Sequence, residues 1–96
     1  MLTIVEEPRV SVAIDDAKRR WRRTQDAWET ITWTLAHHPE AGMPLTESGA
    51  TRSFTIDGAR SIDMPTVTVL YTISRLELTI QDAKFEGAKF AQAGRA

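Results

Sequence analysis

The sequence contains no cysteine. Disulfides and thiolate metal centres are therefore excluded, and a reducing, cytoplasmic setting is expected. It also lacks any run of about 18 apolar residues, so no membrane-spanning helix is expected. The first residues show no basic segment followed by an apolar one, so no secretory signal is expected either. A basic excess is missing too: 12 Lys and Arg face 13 Asp and Glu, for a net charge of −1. That argues against a dedicated nucleic-acid binder and restricts any electrostatic site to a local patch. Histidine is confined to the adjacent pair His37 and His38. Neighbouring positions on a helix point to different sides, and no third ligand follows at a zinc-like spacing. Helix C-terminal capping explains the pair better, so no metal and no cofactor is expected.

What is present is an ordinary globular composition, 42% apolar and 26% charged over 96 residues. That length makes one small domain. Residues 2–6 are β-prone and predict a first strand. Pro8 then either limits that strand or opens a helix at its first position. From Asp15 the pattern changes. Ile14, Ala17, Trp21, Trp28, Ile31 and Leu35 recur at spacings of three and four, with Thr24 between the tryptophans, and so mark one helical face. Asp15 or Asp16 suits the N-terminal end, and the pattern stops at His37-His38-Pro39. It is long for a small domain. A break near residues 23–26, with Thr24 capping a second helix, gives a helical hairpin.

Residues 40–50 hold Gly42, Pro44 and Gly49 and read as a loop. Three strands follow, at residues 52–56, 66–73 and 76–80. Val67, Val69, Tyr71 and Ile73 share one face of the middle strand, and Leu76, Leu78 and Ile80 alternate along the last. Only Ser74 and Arg75 separate those two strands. They lack the Asn-Gly signal of a tight hairpin, which leaves a longer loop open. The tail, residues 86–96, reads as weakly helical or frayed, with Phe90 a docking residue on the domain or on a partner.

Three features bear on chemistry. Residues 18–23 (KRRWRR) hold five cations and no anion. With Ala17, Trp21 and Trp28 toward the core, Lys18, Arg19, Arg22 and Arg23 face water. The plain reading is a solvated charged face, with Asp15 and Asp16 reaching Arg19 and Arg20. The functional alternatives are contact with an acidic partner or with nucleic-acid phosphates. Trp33 lies off the apolar face and is a candidate for a partner surface. Tyr71, the only tyrosine, lies on the face of Val67 and Val69 and reads first as core.

The element order, together with "HHPEAGMPL" and "PTVTVLYTI…LELTIQDAKF", resembles the RelE/ParE toxin superfamily of type II toxin–antitoxin systems, over about residues 2–85. The resemblance implies an α+β domain at 1–85, a helical hairpin packed on a small curved antiparallel sheet completed by the first strand, with 86–96 as a tail. It implies a cognate antitoxin, often acidic and amphipathic. It also implies a target: mRNA in the ribosomal A site for one branch, DNA gyrase for the other. Metal-free RNA cleavage needs a base for the 2′-OH, cations for the phosphorane charge and an acid for the leaving oxygen. "TRSFTI" resembles the strand that supplies basic residues, and offers Arg52. "TIQDAKF" resembles the last strand, and offers Lys84. Arg60, in a loop, and Tyr71 complete the candidates. Thr68 stands where a further arginine is usual, and Phe85 and Phe90 stand where a catalytic Tyr or His is carried. The set is incomplete for mRNA cleavage. The alternatives are a non-enzymatic interaction module on the same fold and an unrelated small α+β homodimer.

Overall fold

The computed structural model describes residues 1–89. In chain order it holds β1 (Thr3–Glu6), α1 (Pro8–Arg20), α2 (Thr24–His37), a 3-10 turn (Pro39–Ala41), β2 (Met43–Pro44), β3 (Thr51–Ile56), a second 3-10 turn (Arg60–Ile62), β4 (Thr66–Ile73) and β5 (Glu77–Glu86). Two helices pack on one five-stranded sheet of order β1-β5-β4-β3-β2. The fold is α+β.

The expected antiparallel sheet is corrected to a mixed one. β3, β4 and β5 are successive antiparallel neighbours, but β1 runs parallel to β5, Ile4 beside Leu78. No tight turn joins β1 to β5. The chain between them passes through both helices and the other strands, so hairpin geometry does not fix their relative direction.

Pro8 opens α1 rather than ending a strand. Its fixed φ suits the first helical position, and its missing N–H has no helical partner there in any case. Val10, Ile14 and Ala17 are buried at spacings of four and three, while Val12 is exposed. Asp15 and Asp16 therefore lie within α1, not at its start, and its first turn carries no acid.

The helices break at residues 21–23, slightly before the expected 23–26, so that Thr24, Gln25 and Asp26 lie within α2. Thr24 does not cap α2 but begins it. It is fully buried, its hydroxyl 3.0 Å from the Ala17 carbonyl oxygen and 2.9 Å from that of Trp21, so it fastens the end of α1 to the start of α2. Asp63 closes the turn from the far side. Held at φ 56°, it accepts the Arg22 N–H on its carboxylate at 2.7 Å and the Arg23 N–H on its carbonyl at 3.0 Å.

The core joins Val10 and Ile14 of α1, Ala27, Trp28, Ile31 and Leu35 of α2, and Val67, Val69, Tyr71, Leu78, Ile80 and Ala83 of the sheet. Trp28 lies in it as expected, with its indole N–H donating to Glu6 at 2.9 Å. Trp21 does not: it is half-buried, with the Arg20 guanidinium 4.3 Å over its ring.

β5 runs six residues beyond Ile80 and contains an irregularity. Leu70 pairs with Asp82 but Tyr71 with Ile80, so Gln81 is extra. Before it the buried positions are Leu78 and Ile80; after it Ala83 is buried and Phe85 packs on the core. The bulge lets an even-numbered apolar series become odd-numbered without leaving the core face. Leu76, expected in the strand, lies in a three-residue turn and is exposed.

Candidate functional site

The four candidate catalytic side chains fall in three separate places. Arg52 and Tyr71 meet, as register partners across β3 and β4 on the face that carries the helices. Lys84 pairs with Thr68 and Thr68 with Thr55, on the opposite, open face. Arg60 stands in the 3-10 turn beside Trp21.

The Arg52–Tyr71 pair anchors the segment that follows α2. The Tyr71 hydroxyl donates to the Pro39 carbonyl at 2.7 Å and accepts the Gly42 N–H at 3.0 Å. The ring is fully buried. Burial pushes its hydroxyl above the ordinary tyrosine range, against the lowering effects of the Gly42 bond and the Arg52 charge. Arg52 donates from Nε to the Gly49 carbonyl at 2.8 Å, and from Nη1 to the Gly42 carbonyl at 2.8 Å and the Glu40 carbonyl at 3.2 Å. A phenol so enclosed and a guanidinium so engaged do structural work on this loop.

The open sheet face is dominated by hydroxyls. Thr51 lies beside Thr72 and Thr72 beside Thr79, while Thr55 and Thr68 share a hydrogen bond of 2.9 Å. A shallow depression of about 130 Å³ includes Ser53, Thr68, Leu70, Asp82 and Lys84 in its lining. Lys84 is exposed and lies 3.6 Å from Glu86. This face offers a single ammonium and no second cation near it among its register neighbours.

The basic run resolves into residues with different neighbours. Arg19 and Arg20 approach Asp16 at 3.5 and 4.0 Å, and Arg23 approaches Asp26 at 2.8 Å. Asp15, read as the partner of Arg19, instead lines a groove of about 280 Å³ with Lys18, Glu6, Gln25 and Trp28. All of these ion pairs are solvent-exposed and contribute about 0–1 kcal/mol each at most. Arg22 is fixed through its backbone to Asp63, which leaves its guanidinium directed to solvent among the described residues.

A convergence invisible in the sequence occurs at this turn. Trp21, Arg60, Asp63 and Met64 line a cavity of about 140 Å³ together with Gly87 and Ala88. Arg60 thereby joins Arg20 at Trp21, nearly forty positions away along the chain. The long-range bond from the Arg22 backbone to Asp63 brings them together, and no local motif announces it.

Trp33 is 60% exposed on α2, off the apolar face as expected. Among the described residues no cluster of three or more His, Asp and Glu side chains is placed to hold a metal ion, and no helix is long and apolar enough to cross a membrane. The Phe90 expectation and most of the tail lie outside the described residues; Glu86, assigned to the tail, ends β5. No protein-family model matches the sequence, and a search of curated proteins returns no match.

Proposed function

We propose that this chain is a RelE/ParE-like toxin, or toxin-like, component of a type II toxin–antitoxin system that acts by binding its target and does not cut RNA. The fold likeness draws support from the element order: a strand, a helical hairpin, then three consecutive antiparallel strands. The non-cleaving half is carried by one observation. Arg52 and Tyr71 are engaged with the loop after α2, while Lys84 and Arg60 stand elsewhere. General acid, general base and charge stabiliser must lie within a few ångströms of one phosphate, and this arrangement gives no such point. The basic turn, with Arg20 and Arg60 at Trp21 and Arg22 exposed beside them, suits an acidic protein surface, that of the target or of an antitoxin segment that blocks the same place. The target is then DNA gyrase in preference to ribosome-bound mRNA.

Induced expression in a bacterial host tests both halves, with growth, pulse-labelled protein and DNA synthesis and mRNA integrity followed together. Early loss of DNA synthesis with intact mRNA supports the proposal and points to gyrase. Early loss of translation with cleaved mRNA overturns the non-cleaving half. Unchanged growth while soluble protein accumulates overturns the toxin half. The convergence at Trp21 would then favour a second reading, a non-enzymatic interaction module that uses the same basic turn.

A further inference from the structure

Along the solvent-facing side of α2, Asp26, Thr30, Trp33 and His37 recur at spacings of four, three and four, with Glu29 beside Thr30. An indole exposed to 60% is unusual for a large aromatic, and this one is held in place. The His37 ring stacks on it, centroids 4.2 Å apart and planes 23° apart. The His37 ring is fixed in turn by Nδ1, 2.8 Å from the Trp33 carbonyl oxygen. Helical side chains lean toward the N-terminus. His37 therefore covers one face of Trp33, and the other turns toward Thr30 and Glu29. Those three residues and Asp26 line an open depression of about 400 Å³.

The carboxylates there are not equivalent. Asp26 holds Arg23 at 2.8 Å. Glu29 accepts only the neutral Gln25 amide, at 3.2 Å. The depression thus presents an oriented π face one turn from a carboxylate that has no cationic partner among the described residues. A guanidinium is the complement of that pair: it is planar enough to lie on the ring while donating hydrogen bonds to Glu29. A lysine ammonium, a compact and strongly hydrated point charge, covers the ring less well.

We infer that this depression docks an arginine side chain of a partner protein, stacked on Trp33 and paired with Glu29. The charge order along the surface defines the partner further. The cationic turn of residues 18–23 precedes Asp26 and Glu29, so a uniformly basic segment is repelled at one end. The complementary segment carries its arginine over Trp33 and acidic residues toward the turn. The docking of arginine on Trp33 and Glu29 stands apart from the toxin reading, and only the placing of the partner's acidic residues draws on the basic turn that both use.

The test is a titration of the isotope-labelled full chain, with the Trp33 indole N–H resonance assigned by Trp33→Phe. The probes are N-acetyl-arginine amide, its lysine counterpart and the neutral citrulline isostere. Saturable shifts are expected at the Trp33 indole and at the Glu29 and Thr30 amides, with arginine at least about threefold tighter than lysine. Trp33→Ala is expected to weaken binding at least about fivefold, Trp33→Phe by under about threefold, and Glu29→Gln about fivefold. Both sites are exposed, so these variants remain folded. The inference is overturned by shifts that fail to saturate, by shifts unaffected in Trp33→Ala, or by citrulline binding as well as arginine. It is overturned equally if the same resonances move with protein concentration alone, which would make the patch a contact between copies of this chain.

Discussion

At the scale of single residues, the buried Tyr71 hydroxyl shows how a group that looks catalytic in the sequence becomes structural. It satisfies one donor and one acceptor of the loop after α2 at once. Tyr71→Phe leaves the Pro39 carbonyl and the Gly42 N–H without that partner and is expected to cost about 1–3 kcal/mol at neutral pH, measured by urea unfolding. The pH dependence follows from the raised hydroxyl. The folded state holds this proton more tightly than the unfolded state. Its contribution is therefore complete below the unfolded value, about 10, and declines as pH rises from there through the folded value. Between about pH 9 and about pH 11 the native protein should lose stability more steeply than Tyr71→Phe, and parallel curves would remove the hydroxyl from this account. Gly42 belongs to the same contact. A Cβ there would lie 2.5 Å from the Tyr71 hydroxyl and 2.6 Å from the Ser53 carbonyl oxygen. The second of these is backbone and cannot swing away. Gly42→Ala is expected to destabilise by about 1–3 kcal/mol, whereas Gly87→Ala, with nothing among the described residues within 4 Å of its Cβ position, should sit within about 0.5 kcal/mol of the native chain in the same assay.

At the scale of elements, the bulge in β5 makes the sharpest prediction. Deleting Gln81 would make Ile80 and Asp82 consecutive opposite Tyr71 and Leu70, and strict alternation would then keep Leu78, Ile80, Ala83 and Phe85 on the core face without a bulge. Phe85 would keep Trp28, whose ring centroid lies 6.0 Å away. The deletion should stay within about 1 kcal/mol of the native chain in chemical denaturation, as should Gln81→Ala, and a loss of about 2–4 kcal/mol on deletion would refute this account of the bulge. The signal for this bulge was in the sequence. Leu78 and Ile80 are even-numbered, Ala83 and Phe85 odd-numbered, and a strand that keeps both pairs inside needs one residue too many between them. Residues 66–73 and the two-helix break were legible because their apolar periods are long and regular. The start of α1 was not, since Val10, Val12 and Ile14 satisfy period two as well as Val10, Ile14 and Ala17 satisfy the helical period. Only the packing of Val10 and Ile14 against the sheet decides between them. The parallel direction of β1 left no local trace at all, because it is a property of the whole path from Glu6 to Glu77.

At the scale of the molecule, surface charge and fold stability separate cleanly, and that separation tests how the protein works. The individual candidates were visible as residue types, but their grouping was not. Arg52, Lys84, Arg60 and Tyr71 suggest one site along the chain, yet sheet parity sends Lys84 to the face opposite Arg52 and Tyr71, and the turn at Asp63 carries Arg60 to Trp21. If the protein acts through its basic turn, Arg22→Glu combined with Arg60→Glu should remove most of any growth arrest and weaken capture of an acidic partner by at least about tenfold, as charge reversal at a contact does. Both side chains are exposed, so the unfolding midpoint should move by no more than about 0.5 kcal/mol equivalent. Lys84→Ala, on the other face, should leave growth arrest unchanged. Arg52→Ala should also reduce it, but through lost loop anchoring and a lowered midpoint, which the double reversal would not show. An arrest abolished by Lys84→Ala in a fully stable protein would place the working surface on the open sheet instead and refute action through the basic turn.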